Sequence, residues 1–275
     1  MKKIRKPAVA GMFYPDEKDM LINEVDLLLE LNDEAQKIDN IFGLVAPHAG
    51  YIYSGKTASI AYNLLEKSKY KKVILLSPSH REHFKGSCVY DGDYYYTPLG
   101  PVEIDAESRE RFTEYSETIF AGENGHGAEH AVEVHLPFLQ RALGEFLLTP
   151  IVVGDQSDEF LDELAQKIAE NWDEETLVIA SSDLSHFHNQ TEANEKDKFV
   201  EQFIRDFDYE GLSASLVSGQ CEACGGGPII ALLRAAEMCG FNKSKVLYRN
   251  DSSEAIGETD EVVGYLSAVV YGETI

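Results

Sequence analysis

Three loops carry side chains suited to holding a metal ion: His48 in Val45-Ala-Pro-His-Ala-Gly-Tyr, His80 in Leu76-Ser-Pro-Ser-His, and Cys224 in Cys221-Glu-Ala-Cys-Gly-Gly-Gly-Pro. Each loop is flanked by glycine or proline, at a point where an ordinary core would place nothing reactive. Two imidazoles and a thiolate offered from separate loops suit one transition metal ion. His130, Asp183 and His186 add groups able to move or steady a proton beside it. Asp183 and His186 stand three residues apart in Ser181-Ser-Asp-Leu-Ser-His, a spacing that shares one face if the segment is helical and lets a carboxylate orient an imidazole.

Each group also has a structural use. His48 can donate to a carbonyl within its own turn, His80 can cap a helix beginning near Ser79, and Asp183 suits a helix N-cap. The run Glu129-His-Ala-Val-Glu-Val-His-Leu-Pro invites comparison with zinc proteases, but His130 and His135 are five residues apart. On a regular helix they point roughly 140° apart and cannot share an ion. The expectation is that His130 faces a pocket from a helix start and that His135 is buried and structural.

Cys221 and Cys224 form a Cys-x-x-Cys with no second pair to complete a zinc ribbon. Gly225 to Gly227, Pro228 and a following helix build a backbone that packs close to a ligand. A thiol near a helix N-terminus becomes more acidic, which favours Cys224 as the ligand and leaves Cys221 open. Cys88 and Cys239 read as small hydrophobes. Four cysteines in 275 residues are too few for a disulfide framework, so reduced thiols are the default.

The elements that must position these loops alternate along the chain. Helical spacing at Leu21, Ile22, Val25, Leu28 and Leu29 precedes a buried strand over Ile41 to Ala46. Ala58, Ala61, Leu64 and Leu65 mark a second helix and Val73 to Pro78 a second strand. From Gly86 to Val102 the aromatic and glycine content predicts extra strands or a hairpin beside the main sheet, with Tyr94 to Tyr96 as packing residues. Helices follow at 105–115, 131–143, 158–171, 194–207, 212–217 and 229–238. Strands are expected at 149–153, 177–183, 246–248 and 262–271. This pattern predicts an α/β fold, a single domain with a largely parallel central sheet flanked by helices. In such sheets ligands bind beyond the carboxyl ends of the strands, and the loops of His48, His80 and Asp183 all follow strand ends.

The formal charge of −24, from 48 acidic and 24 basic side chains, disfavours nucleic acid and anionic membranes as partners. No apolar run approaches the roughly 20 residues of a membrane span. The basic start Met1 to Lys6 meets Pro15, Asp16 and Glu17 before any apolar region, so a signal peptide is not expected and a cytoplasmic location is.

Six ordered motifs identify the chain as similar to the Memo family, the component B proteins of the prokaryotic group that joins AMMECR1-like, Memo and radical SAM proteins. They are Lys6-Pro-Ala-Val-Ala-Gly-Met-Phe-Tyr-Pro, Ala46-Pro-His-Ala-Gly-Tyr, Ser77-Pro-Ser-His, Glu129-His-Ala-Val-Glu-Val-His-Leu-Pro-Phe, Ser181-Ser-Asp-Leu-Ser-His and Cys224-Gly-Gly-Gly-Pro. The resemblance runs end to end, which makes residues 1–275 one Memo-like domain. It implies a fold similar to the LigB-type extradiol dioxygenases, in which two histidines and a carboxylate hold non-haem iron. By motif position His48 and His80 are the histidine ligands, and Cys224 stands where the dioxygenases keep the carboxylate. His186 matches their catalytic histidine, His130 a pocket histidine, and Asp183 belongs to the same signature.

The thiolate shifts metal preference toward copper(I), zinc or thiolate-ligated iron, and it can itself be oxidised. The reading is therefore a metalloprotein binding iron or copper, with zinc possible, that acts as an oxidoreductase on a small molecule or peptide. His186 serves as base or substrate contact, supported by His130 and Asp183. Two alternatives stand beside it: a non-catalytic binding module contacting the AMMECR1-like and radical SAM components, and a zinc-dependent hydrolase.

Overall fold

The computed structural model describes residues 2–30 and 38–273. In chain order the strands are β1 (Ile4–Arg5), β2 (Ile41–Ala46), β3 (Lys72–Pro78), β4 (Ser87–Tyr90), β5 (Tyr94–Thr97), β6 (Gly100–Ile104), β7 (Ile119–Gly122), β8 (Leu147–Val153), β9 (Thr176–Ser181), β10 (His186–His188), β11 (Lys243–Asp251) and β12 (Val262–Tyr271). The helices are α1 (Lys18–Glu30), α2 (Tyr51–Tyr62), α3 (Ala106–Thr113), α4 (Leu136–Ala142), α5 (Asp158–Asn171), α6 (Gln190–Arg205), α7 (Tyr209–Ser218), α8 (Gly226–Met238) and α9 (Ser253–Ile256).

One mixed sheet unites the strands. Its centre runs β6-β8-β3-β9-β2 and is parallel throughout, and antiparallel pairing is confined to the margins. The central strands are almost unbroken apolar runs because helices cover both faces. Helices α5 and α8 close one face around Ile74, Leu164, Ile168 and Leu232. Helices α1, α2 and α4 close the other around Leu21, Tyr62, Leu75 and Phe138.

The hairpin expected between Gly86 and Val102 is present as β5 and β6, and it joins the sheet through β6 rather than lying apart. The first half of β8 pairs with β6 and the second half with β4, so one strand edge serves two neighbours. Tyr95 is buried and Tyr94 and Tyr96 are half-buried, the alternation of a strand with one packed face. Leu64 and Leu65 lie in a turn just beyond α2 rather than within it.

Two helical expectations are corrected. The segment 131–143 is a short 3-10 turn over Glu133–His135 followed by α4, because Pro137 has no amide hydrogen to continue an earlier helix and fits the first turn of a new one. Residues 182–185 are not helical. Leu184 N–H donates to Gly264 O and Ser185 N–H to Asp197 Oδ1, and these long-range partners draw the chain alongside β12 as β10.

The N-terminal segment is tied to the loop ahead of α4 by buried charge. Arg5 pairs with Glu133 and donates to the carbonyls of His126 and Glu129, while Glu133 also accepts from Tyr14 Oη (2.5 Å), Ala8 N–H (2.7 Å) and Val9 N–H (3.0 Å). His126 anchors the same loop: its Nε2–H donates to Cys88 O (3.0 Å) and its Nδ1 accepts from Tyr95 Oη (2.6 Å).

Burial holds His126 down at about 4, against 6.5 for a free imidazole. Between those pH values the unfolded chain binds a proton there and the folded chain does not, so stability falls as pH drops through the window. The residue's share is on the order of 3 kcal/mol. In urea titrations the stability gap between the wild type and His126→Asn is expected to narrow by about 2–3 kcal/mol from pH 7.5 to 4.5. A gap that stays constant over that range would contradict a neutral buried imidazole.

Candidate metal centre

Strand β9 lies between β3 and β2, and the three chains leave the sheet side by side. His48 is two residues beyond β2, His80 two beyond β3, and Asp183 two beyond β9. The carboxyl ends of adjacent parallel strands thus deliver both imidazoles and the carboxylate to one rim. Cys224 arrives from the far side, just before α8. Its loop is stitched to the β9 loop: Cys224 N–H donates to Asp183 O (3.2 Å), Gly225 N–H to Ser182 Oγ (2.9 Å), and Asp183 N–H to Cys224 Sγ (3.2 Å). Gly225 permits this approach, since a Cβ there would collide with Ser181 O.

The ligand atoms of His48, His80 and Cys224 all lie within 4.8 Å of one another, and Cys224 Sγ is 3.2 Å from His48 Nε2. Two ligands of one tetrahedral ion stand roughly 3.5 Å apart. A single proton fixes which nitrogen of His48 is free. Ser181 Oγ lies 2.8 Å from Ala131 O, 2.7 Å from His48 Nδ1 and 2.6 Å from His135 Nε2. A carbonyl can only accept, so the serine hydroxyl gives its one hydrogen to Ala131 and accepts from both rings. His48 therefore carries its proton on Nδ1 and presents a bare Nε2.

His80 is set in the same way. Its Nδ1–H donates to Glu129 Oε1 (2.9 Å) and its amide to Glu129 Oε2 (2.7 Å), again leaving Nε2 bare. Burial opposes ionisation of Glu129, but hydrogen bonds from the His80 ring and from the amides of His80 and Ala131 outweigh it and hold the carboxyl down at about 2. No helix begins near Ser79 for His80 to cap, and His80 gives its ring and amide hydrogens to Glu129 instead. Burial and the neighbouring imidazoles push His48 well below its ordinary value, which keeps it neutral and able to ligate.

The remaining sequence candidates border this cluster. His130 stacks on His80 at 4.9 Å and meets His48 edge-on at 5.4 Å, with Phe13 4.8 Å away. It sits in the loop ahead of the 3-10 turn rather than at a helix start. Burial holds it down at about 4, and its Nδ1 is buried without a hydrogen-bond partner, although Glu129 Oε1 is 3.2 Å away. Asp183 is not an N-cap. Its Oδ1 accepts the His48 amide (2.8 Å), its Oδ2 stands 3.9 Å from His48 Nε2, and burial raises its carboxyl to about 7. His186 opens β10 and donates from Nδ1 to Leu184 O (2.8 Å), which leaves its Nε2 as an acceptor.

One electrostatic expectation is reversed. The helix N-terminus does not make the Cys224 thiol acidic: burial and the adjacent Asp183 raise its pKa well above the ordinary value, outweighing the amides of Asp183 and Gly225. A bound cation would favour the thiolate that this burial disfavours. Cys221 is buried among core side chains and belongs to no candidate ligand group, and Cys88 is fully buried too. His135 is the structural histidine expected, held between Ser181 Oγ and Tyr62 Oη (2.6 Å) and kept neutral by burial at about 3.

Glu129, Ser181 and Glu133 had no assigned role in the sequence reading. Their signal was their presence inside the quoted motifs, where a buried acid or hydroxyl beside a candidate ligand is the expected outer partner.

Two cavities open on this cluster. One, of about 380 Å³, is lined by His130, Asp183 and His186 with Met12, Phe13, Ile52 and Tyr53. The other, of about 480 Å³, reaches Cys224 and His186 past Gln156, Leu216 and Cys221.

Fold and site together define a mixed-sheet α/β protein with a histidine–thiol cluster at the carboxyl edge of its parallel strands. A solved structure of an uncharacterized protein from Escherichia coli K12 shares this fold, with a TM-score of 0.50 over 74% of this chain and 86% of that one at 12% identity. The profile of the Memo-like proteins matches residues 5–269, and the chain belongs to that family. It is 38% identical to a MEMO1 family protein of Aquifex aeolicus over 97% of this chain and 99% of the other. It is 36% identical to one from Methanocaldococcus jannaschii (98% and 100%) and 34% identical to one from Methanobrevibacter smithii (97% and 99%). Among the described residues no helix is long and apolar enough to cross a membrane.

Proposed function

We propose that this protein is a metal-dependent oxidoreductase in which His48 Nε2, His80 Nε2 and Cys224 Sγ hold one iron or copper ion. The observation that carries the reading is the proton arrangement: Ser181 and Glu129 each take an Nδ1–H, so both rings turn a bare nitrogen toward the thiol. This is the outer-partner pattern of metal-ligating histidines. The buried thiol completes the set, since ligation favours the thiolate that burial otherwise disfavours. When bound, iron or copper would supply one-electron chemistry and polarise a coordinated ligand atom.

The chain's own residues do the remaining work. His186 is held neutral, chiefly by burial, and its Nε2 accepts a proton or hydrogen bond from a molecule in the 380 Å³ cavity. Asp183 braces the His48 loop through the hydrogen bond that its Oδ1 accepts from the His48 backbone N–H. Phe13 packs on His130, which in turn packs against the His48 and His80 rings.

Elemental analysis of anaerobically purified protein tests the reading. Near-stoichiometric iron or copper is expected in the wild type and in Cys88→Ser, with at least a tenfold loss in Cys224→Ala. Zinc in their place, with turnover that needs no oxidant, would turn the reading to hydrolysis. Absence of metal from all three proteins after reconstitution would leave a binding module for small molecules, peptides or the AMMECR1-like and radical SAM components.

A further inference from the structure

The 380 Å³ cavity is lined almost wholly by uncharged side chains. In a chain with a formal charge of −24, its wall holds no lysine, arginine or glutamate, and the only acid is the buried Asp183 on its floor. Met12, Phe13, Ile52, Tyr53, Ile256 and Tyr265 form the apolar part of the wall. Met12, Ile52 and Ile256 are 72%, 70% and 53% exposed, so large apolar side chains stand at the mouth facing water. Isolated exposed apolar residues are ordinary, but several converging on one concavity mark a ligand-binding rim.

The titratable groups His130, Asp183 and His186 form the floor, and the wall adds only the neutral hydroxyls of Tyr53, Ser252 and Tyr265. His186 has used its only N–H on Leu184 O, and Asp183 Oδ1 already accepts the His48 amide. The His186 ring therefore offers an acceptor, and no lysine or arginine side chain lines the cavity to meet an anionic group. A phosphate or carboxylate entering here would leave water for neutral hydroxyl donors alone, and an ammonium group would have to cross the apolar rim to reach Asp183. Either charge loses more solvation than this lining returns. A flat neutral body is favoured instead, packing against Phe13, Tyr53 and Tyr265 while one hydroxyl or amide N–H donates to the His186 ring.

We infer that the cavity takes a small uncharged molecule with an apolar, planar body and one hydrogen-bond donor, and that it discriminates against anionic and cationic analogues of the same shape. This deepens the proposed function by naming the ligand class of the same site, and it rests on that site being functional. The N-terminal segment is part of the binding wall, since the Glu133 cluster holds residues 8–14 so that Met12 and Phe13 face the cavity.

Three probes with one ring and different head groups test the inference: benzyl alcohol, benzoate and benzylamine. Each is titrated into the full chain, both as purified and after chelation, while the imidazole proton resonances of His130 and His186 are followed by NMR. Benzyl alcohol is expected to shift both rings and to bind at least about tenfold tighter than either charged probe. Ile52→Glu and Ile256→Glu, at exposed positions that tolerate substitution, each weaken benzyl alcohol about tenfold and leave metal content unchanged. Benzoate or benzylamine binding as tightly as the alcohol would overturn the inference. So would an unchanged affinity in both rim variants, or no shift with any probe. The metal reading fails separately: equal metal in the wild type and Cys224→Ala sinks it, whereas probe selectivity in chelated protein is read without any metal.

Discussion

Arg5→Leu is expected to lower the unfolding free energy by about 3–5 kcal/mol, the typical cost of leaving one member of a buried ion pair alone. Both side chains are almost completely buried, at 5% and 0% exposure. The variant strands the Glu133 carboxylate with only the Tyr14 hydroxyl and the amides of Ala8 and Val9, and it also orphans the carbonyls of His126 and Glu129. Urea denaturation with tryptophan fluorescence gives the number, since Trp172 packs against Phe42 and Phe241 in the core. The double variant Arg5→Leu/Glu133→Leu is expected to recover part of the loss, because no uncompensated charge remains. A loss below about 1 kcal/mol in the single variant would mean that the charge finds water.

The second large effect concerns affinity. Glu129→Ala is expected to weaken metal binding about 10–100-fold, the usual consequence of removing a carboxylate that orients a ligating imidazole. Here one carboxylate holds the His80 ring and also collects the amides of His80, His130 and Ala131, so its loss frees the loop on both sides of the site. Glu129→Gln keeps the size and one acceptor oxygen and should fall between. Competition against a chelating dye measures all three proteins. Unchanged affinity in Glu129→Ala would show that His80 is not a ligand.

Much of this was readable from residue order. Strands β2, β3, β8 and β9 announce themselves as short apolar runs, and the bounds of α5 and β12 follow from the patterning alone. The rule that ligands gather beyond parallel strand ends placed His48, His80 and Asp183 on one rim, where they are found. The strand order, β9 between β3 and β2, could not be read, because pairing depends on contacts far apart in sequence. The same limit explains the errors. Asp183 and His186 have helical spacing, but Gly264 and Asp197 supply partners that no local pattern reveals. The Cys224 thiol sits at a helix start as expected, and its environment is set instead by burial and a neighbouring carboxyl. Glu129 and Ser181 were hidden for another reason: each is defined by how many donors converge on it, a property of three-dimensional neighbours.

His48 and Cys224 touch across 176 positions of chain, with His80 between them in sequence. A nascent chain therefore has no local triad to offer: His48 and His80 emerge early, and the thiol follows only when most of the polypeptide has been made. The three donors converge only after β2, β3 and β9 have paired and α8 has docked. On the proposed metal reading, acquisition of the ion would be a late event in the life of each molecule, a seal on finished folding rather than a seed for it, and chelation would empty the centre without unravelling the sheet around it.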